Sequence, residues 1–177
     1  MYHNNSVTAK LMCETLNINY NKYFSFIHIR NPWAKAVSLY FYDKPDKNRL
    51  GFYEINYDKE SAYYYNFNEW LKGRDFSWFK IEHWIGEQEG VSKIYPIETF
   101  TLKQLENDIN AFNRERGTGA PILELDGELG HENATVHDHY STYYNEESIE
   151  IIRKTFAKDI ELGGYTFDRL MKSFRIR

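Results

Sequence analysis

The chain has 177 residues, a net charge of −4 and one cysteine, Cys13. This length predicts a single domain at 1–177 that can bury a core without disulfides. The negative charge argues against a general nucleic-acid-binding protein, and one cysteine excludes an intrachain disulfide. We find no signal peptide and no apolar run long enough to span a bilayer, so we expect a cytoplasmic location.

The first half of the chain is predicted to contain a helix, a strand and a second helix. Apolar residues at 7–16 recur at helical spacing, and the β-prone run at 23–29 is typical of a buried strand in a parallel sheet. Asn31 can cap a helix whose first position suits Pro32. The apolar face of that helix is formed by Trp33, Ala36, Val37, Tyr40 and Phe41. At 43–65 the chain is polar and aromatic, and we expect a substrate-side loop there.

The second half of the chain is predicted to be rich in helix. Short helices are expected at 66–72 and 76–85, and a strand at 91–97. The next helix starts at the capping-box pair Thr101 and Gln104 and ends before 117–121. One continuous helix is expected from Asn145 to Gly163. Helices interleaved with a few strands favour an α/β domain.

Arg30 stands directly between the predicted strand and the helix start. Free backbone N–H groups and the macrodipole at a helix start favour an anion, and a guanidinium can bind two phosphate oxygens at once. Ser38, two turns into the helix, would add a hydroxyl donor. These residues predict a phosphate site, although an arginine after a strand is also commonly a surface salt-bridge partner.

The order of residues around Arg30 resembles the 3′-phosphate-binding segment of sulfotransferases. That segment is an apolar strand, Arg-Asn-Pro or Arg-Asp-Pro, an aromatic residue and Val-Ser-x-Tyr. The matching runs are Phe26-Ile27-His28-Ile29-Arg30-Asn31-Pro32-Trp33 and Val37-Ser38-Leu39-Tyr40. The resemblance implies that Arg30 and Ser38 hold the 3′-phosphate of 3′-phosphoadenosine 5′-phosphosulfate, whose product is adenosine 3′,5′-bisphosphate. It implies no metal.

Similarity to the same family continues along the chain in the same order. Ile97-Glu98-Thr99-Phe100 resembles its Phe-Glu-Asn-Leu segment, and 133–165 resembles the C-terminal signature of its carbohydrate-type branch. The resemblance implies a P-loop, nucleotide-kinase-like α/β fold with a parallel sheet flanked by helices, and a carbohydrate or other hydroxyl acceptor. Tyr2-His3 resembles a segment of uronyl-type members, which implies that His3 deprotonates the acceptor.

One part of the family pattern is missing. The first strand and the phosphate loop, close to Lys-x-Gly-x-Thr-Ser, are not found before Arg30. Three interpretations stay open: an N-terminally truncated fragment, which the intact downstream pattern favours; an inactive remnant that binds a nucleotide or a protein; and a partner chain that supplies the strand and loop. A missing strand would leave an exposed sheet edge, which favours a homodimer. A phosphate-transferring kinase-like domain is a weaker alternative, since no carboxylate set for Mg²⁺ is visible.

Several other side chains keep two interpretations. We expect His28 to be a sheet or core residue, and His137 and His139 to be loop residues rather than a metal-ligand pair. Trp33, Tyr140, Tyr143 and Tyr144 are candidates for stacking on adenine or a sugar, and core packing is an at least equal alternative for Trp33.

Overall fold

The computed structural model describes residues 14–17, 19, 22–43, 66–85, 91–127 and 137–168. The expected helix at 7–16 lies outside these ranges except at its end, where Glu14 and Thr15 are helical. His3 and most of the expected loop at 43–65 also lie outside them. The helices and strands in chain order are β1 (Phe26–Ile29), α1 (Pro32–Asp43), α2 (Phe67–Gly73), α3 (Ile81–Ile85), β2 (Lys93–Pro96), α4 (Leu102–Arg116), α5 (Glu146–Thr155) and α6 (Ala157–Gly163). Short 3₁₀ helices occur at Ser77–Phe79 and Tyr140–Thr142.

These elements confirm an α/β protein whose second half is rich in helix. Contacts divide the chain into two compact units. Unit 1 is drawn from Met1–Arg30 and Ile81–Asn133 and contains β1, α3, β2 and α4; unit 2 is drawn from Asn31–Lys80 and Ala134–Arg177 and contains α1, α2, α5 and α6. The single domain at 1–177 stays a prediction. None of the described helices is long and apolar enough to cross a bilayer.

The sheet of unit 1 consists, in the described residues, of β1 and β2, which pair in parallel as predicted. Phe26 aligns with Lys93 and Ile29 with Pro96, and the N–H of Ile97 donates to the carbonyl of Ile29 at 2.8 Å. The expectation of a fully buried strand is wrong for β1. Ile29 is buried, but Phe26 is 41% exposed, because its face of the sheet is only partly covered. Two short strands do not establish the strand order of a P-loop-like fold, which stays a prediction.

Helix α4 begins at the predicted capping box and ends at the predicted glycine. The Thr101 hydroxyl accepts a hydrogen bond from the N–H of Gln104, whose side chain accepts one from the N–H of Thr101. Gly117 follows the helix with a left-handed φ of 58°, a conformation that favours glycine. The Tyr95 hydroxyl donates to Asp108 at 2.7 Å and thereby joins β2 to α4.

The extended chain at 123–125 is attached to α4 through two side chains one helical turn apart. The Asn110 amide donates to the carbonyl of Leu123 and accepts from its N–H, both at 2.8 Å. Glu106 accepts from the N–H of Leu125 at 3.1 Å and also pairs with Lys103. Four residues of helix and two residues of extended chain both span about 6 Å, so the two attachments form together without distorting either element.

We expect the Glu106 carboxyl to titrate below the usual range of glutamate. Lys103, and then the N–H of Leu125, lower the pKa of Glu106 because both favour the carboxylate. Its contribution to stability is present above the unfolded-state pKa of about 4.3 and is lost as the pH falls through the lower folded-state pKa. In NMR spectra, the Leu125 amide proton should follow this titration and should lose the step in Glu106→Gln. The same step in both proteins would contradict the assignment.

The core of unit 2 forms around the apolar face of α1 that the sequence predicts. Trp33, Ala36 and Val37 are almost completely buried, and Tyr40 is buried with them. The other buried members of this cluster are Phe67, Trp70, Leu71, Phe76, Tyr140, Ile149, Ile152 and Phe156. Its rings meet mainly edge to face, the geometry that aromatic quadrupoles favour. Much of the unusually high aromatic content is therefore used in packing.

The prediction of a single helix between Asn145 and Gly163 is wrong, because the helical chain is interrupted at Phe156. Asn145 caps α5 as predicted, with its side chain accepting from the N–H of Ser148 at 2.8 Å. Phe156 has φ −113° and ψ 33°, and its N–H closes α5 on the carbonyl of Ile152. Its fully buried ring contacts Phe76 edge to face. Since neither glycine nor proline stands at this break, the sequence contains no local signal for it.

Candidate functional site

Arg30 directly follows β1, at the carboxyl end of the parallel strands of unit 1. The turn that follows β2 reaches the same edge, because Ile97 is bonded to Ile29 and the N–H of Thr99 closes on the carbonyl of Pro96. In open parallel sheets, ligands bind outside the carboxyl ends of the strands. Arg30 therefore occupies the edge of unit 1 where an anionic ligand is expected.

The Arg30 side chain is half-buried. Among the described residues, no carboxylate pairs with it and no hydrogen bond to its guanidinium is found. The alternative interpretation, a surface salt bridge, thus has no partner in this part of the chain. An anionic ligand at this position would supply a counter-charge, which a guanidinium can bind through two hydrogen bonds.

The prediction that backbone N–H groups are free at the start of α1 is wrong. The Asn31 side-chain oxygen accepts from the N–H of Trp33 at 3.1 Å and of Ala34 at 3.2 Å. The N–H of Lys35 donates to the carbonyl of Asn31 at 2.8 Å, and Pro32 has no N–H to offer. Asn31 caps the helix so completely that its first-turn donors are already bonded. An anion near this helix start must therefore be bound mainly by side chains.

Of the other two predicted site residues, the structure describes Ser38 but not His3. Ser38 is half-buried on α1, two turns into the helix as expected, and it belongs to unit 2. Arg30 belongs to unit 1, so their joint contact with one phosphate stays a prediction. His3 lies outside the described residues.

The aromatic side chains considered for stacking are mainly structural. Trp33 is 1% exposed, and its indole N–H donates to the carbonyl of Ile149 at 3.3 Å, which confirms the core interpretation. Tyr144 donates to the carbonyl of Trp33 at 2.9 Å, and burial raises the pKa of Tyr144 well above its usual value. Tyr140 is also buried and accepts from the N–H of Asp168 at 3.0 Å. Tyr143 is half-buried and lies nearer the surface.

Lys35 is the polar core residue that sequence reasoning missed. Its ammonium group donates to the carbonyl of Phe79 at 2.6 Å and lies 3.5 Å from the carboxylate of Asp159, which is fully buried. It also lies over the Phe156 ring, 5.3 Å from the centroid. Lys35 and Asp159 are 124 residues apart, and no local spacing rule connects residues so distant.

Contacts with neighbouring groups are found for His28, His137 and His139. His28 is a sheet residue as expected, exposed on β1 and edge to face with Phe100. His137 contacts the carbonyl of Asp138 through Nδ1 at 2.7 Å, and His139 contacts the Ser141 hydroxyl through Nδ1 at 2.9 Å. Within these ranges, no group of three or more His, Cys, Asp or Glu side chains is arranged to hold a metal ion.

A cleft of about 800 Å³ lies in unit 1 between α4 and the loop that follows it. Its walls include Asn107, Asp108, Asn110 and Arg114, and its rim includes Pro121 and Ile122. Arg30 is not among the lining residues, and Asp108 and Asn110 are engaged in the structural contacts described above. The cleft is thus formed where the loop attaches to α4, and we do not include it in the candidate site.

No protein-family model, curated protein or solved structure matches the chain. Any function must therefore be argued from its own residues, and Arg30 at the carboxyl end of β1 is the strongest candidate among those described.

Proposed function

We propose that the protein is a sulfotransferase that moves a sulfuryl group from 3′-phosphoadenosine 5′-phosphosulfate to a hydroxyl of a carbohydrate-like acceptor. The observation that carries this proposal is the half-buried Arg30, which follows a parallel strand and has no counter-charge among the described residues. The strand, the Asn31 cap and the helix beginning at Pro32 occur in the order of the motif that resembles the family.

In this proposal, the Arg30 guanidinium donates two hydrogen bonds to the 3′-phosphate, and the Ser38 hydroxyl donates a third. Because the first-turn N–H groups of α1 are bonded to Asn31, the affinity for this phosphate depends on the two side chains. The described residues supply no equivalent of the family's phosphate loop. The proposal therefore assigns residues only to the 3′-phosphate end of the donor.

Replacing Arg30 by alanine should weaken the binding of adenosine 3′,5′-bisphosphate about 10- to 100-fold. Loss of a charged hydrogen-bonding contact costs about 1.5–3 kcal/mol, which corresponds to this change in Kd. Arg30→Lys should give an intermediate Kd, because the charge remains but the planar fork is lost. Isothermal titration calorimetry would measure both, with 5′-AMP as the ligand that lacks the 3′-phosphate.

The matched control for this titration is Arg114→Ala, since Arg114 is an exposed arginine on α4 of the same unit. It should leave the Kd within about twofold of the wild-type value, because exposed side chains away from a site have small effects. Equal Kd values for Arg30→Ala and the wild-type protein would show that Arg30 does not bind the ligand. Equal wild-type affinities for the bisphosphate and 5′-AMP would show that the protein has no pocket for the 3′-phosphate.

A nucleotide-binding module without catalytic activity is the second candidate function. Such a module would bind the 3′-phosphate end of the donor through Arg30 and Ser38 without the loop that, in the family pattern, holds the phosphosulfate and whose lysine offsets charge on the leaving oxygen. A transfer assay with ³⁵S-labelled donor and a panel of polysaccharides separates the two. Binding of the bisphosphate without any labelled product would favour the inactive module.

A further inference from the structure

The extended chain that follows α4 has an inner and an outer face. Leu123 and Leu125 are half-buried, whereas Ile122, Glu124 and Asp126 are exposed. An extended chain shows this alternation, with a period of two residues, when one face lies against the protein and the other faces solvent. Ile122 is 80% exposed, so its side chain makes little contact with the rest of unit 1.

The backbone groups of this segment point in two directions. The N–H and the carbonyl of Leu123 both bond to the Asn110 side chain, and the N–H of Leu125 is also bonded to a side chain of α4. In an extended chain, the N–H and C=O groups of successive residues point to opposite edges. Those of Ile122 and Glu124 are therefore directed away from α4. Within the residues that the structure describes, they make no hydrogen bond.

The segment thus presents an unpaired strand edge on the surface of unit 1, which we name the 122–126 edge. A row of exposed, unpaired N–H and C=O groups is a template for pairing with another extended chain. Peptides bind such edges by adding a strand. Their main-chain hydrogen bonds supply affinity, and their alternate side chains supply specificity.

The charge of the 122–126 edge determines which chain can pair with it. Glu124 and Asp126 are both acidic, and neither makes an ion pair in the described part of the chain. Lys103 lies near Glu124 but is paired with Glu106. Opposite charges on directly facing residues of two paired strands stabilise the pair. The edge is therefore complementary to a strand that carries basic side chains.

A second copy of this chain is a poor partner for the same edge. Pairing of two copies along it would bring their Glu124 and Asp126 side chains together on one face. Like charges facing each other across paired strands are destabilising. The acidic side chains therefore oppose self-association here and favour a partner of opposite charge.

We propose that the 122–126 edge binds an extended, basic peptide segment of a partner protein by strand addition. In the antiparallel orientation, which is the commoner one, the partner carries basic residues opposite Asp126 and Glu124 and an aliphatic residue opposite Ile122. These three partner residues are two positions apart, in that order from its N-terminus. The surface includes neither Arg30 nor Ser38, so it is independent of the proposed function.

The probe is the acetylated and amidated peptide Thr-Lys-Thr-Lys-Thr-Val-Thr, which has this order of side chains. It is added to the full ¹⁵N-labelled chain, and amide hydrogen exchange is followed by NMR. The amides of Ile122 and Glu124 should exchange about tenfold more slowly or better at saturating peptide, because they become hydrogen-bonded. The amides of Leu123 and Leu125 are internal controls: they are bonded to α4 already and should change little.

Two control peptides separate strand pairing from charge attraction alone. N-methylation of the second lysine keeps both charges but removes the donor that faces the Glu124 carbonyl. This change should weaken binding about tenfold, since a hydrogen bond is lost and the methyl group obstructs the pairing. A peptide with glutamates in place of both lysines should bind the wild-type protein at least about tenfold more weakly than the lysine peptide.

A charge reversal on the protein provides the matched variants. Glu124→Lys should weaken binding of the lysine peptide about 3- to 10-fold and should strengthen binding of the glutamate peptide, because the reversed charge exchanges attraction and repulsion. The control is Glu115→Lys, an equal charge change at an exposed position of α4. It should leave the Kd of both peptides within about twofold of the wild-type values.

Slower exchange of the Ile122 and Glu124 amides with the lysine peptide, lost on N-methylation, supports the proposal. Unchanged exchange at the highest soluble peptide concentration overturns it, as does equal binding of the N-methylated peptide. Slow exchange of these two amides in the free protein would show that the edge is already covered. If that protection falls on dilution, the occupant is a second copy; if it does not, the occupant is this chain itself. Either result overturns the proposal, and none of these outcomes depends on nucleotide binding or sulfuryl transfer.

Discussion

Trp33→Ala should lower the free energy of unfolding by about 3–5 kcal/mol, the usual cost of truncating a large buried aromatic residue. Trp33 is 1% exposed at the centre of the unit 2 core. Its truncation leaves a cavity and removes the indole N–H that bonds to the carbonyl of Ile149. Since domains are commonly stable by only 5–15 kcal/mol, this change removes a large part of the total. Urea denaturation followed by circular dichroism would measure it.

The control for Trp33→Ala is Trp84→Ala, because Trp84 is 59% exposed. This variant should change the free energy of unfolding by no more than about 0.5–1 kcal/mol. Trp33→Phe should cost less than the alanine variant, and it keeps the measurement possible if Trp33→Ala does not fold. Equal losses for the alanine variants of the two tryptophans would show that Trp33 is not a core residue and would reopen its role in stacking on a ligand.

Lys35→Met should lower the free energy of unfolding by about 3 kcal/mol. Removing one partner of a buried ion pair leaves an uncompensated charge, and the carboxylate of Asp159 is fully buried. The expected loss is at the low end of the range for buried pairs, because the Lys35 side chain is 23% exposed. The hydrogen bond from Lys35 to the carbonyl of Phe79 is lost at the same time.

A double-mutant cycle with Asp159→Asn would isolate the interaction free energy between Lys35 and Asp159. The double variant Lys35→Met/Asp159→Asn should be more stable than the sum of the single losses predicts, by roughly 1–3 kcal/mol, because neither charge is then left alone. The control is Lys72→Met: Lys72 pairs with Glu69 and Glu147 in exposed positions, and its loss should be much smaller. Strict additivity in the Lys35 cycle would show that the two groups do not interact.

The elements predicted correctly are those whose signals are local. The start of α1 follows from Asn31 and Pro32, and both ends of α4 follow from the capping box and Gly117, because each cap involves residues within one turn. These signals depend on hydrogen bonds that a few neighbouring residues can make by themselves.

The errors arise where distant residues decide the outcome. The break at Phe156 occurs where its ring enters the core against Phe76, and Lys35 finds its partner 124 residues away. The Asn31 cap was predicted, but its consequence for the helix start was not: a side chain that caps α1 also occupies the donors that would otherwise bind an anion. Arg30 could be located from the sequence, whereas the lack of a counter-charge among the described residues required the structure.

The composition of unit 2 from separated segments has a consequence for the order of synthesis. The indole of Trp33 bonds to a residue 116 positions later in the chain. Ribosomes add about 5–20 residues per second, so roughly 6–23 s pass between the emergence of the two partners. Through that interval α1 has left the ribosome while α5 and α6 have not yet emerged, and its tryptophan-bearing face has no C-terminal partner to cover it. The nascent chain should therefore need protection from aggregation longest at α1.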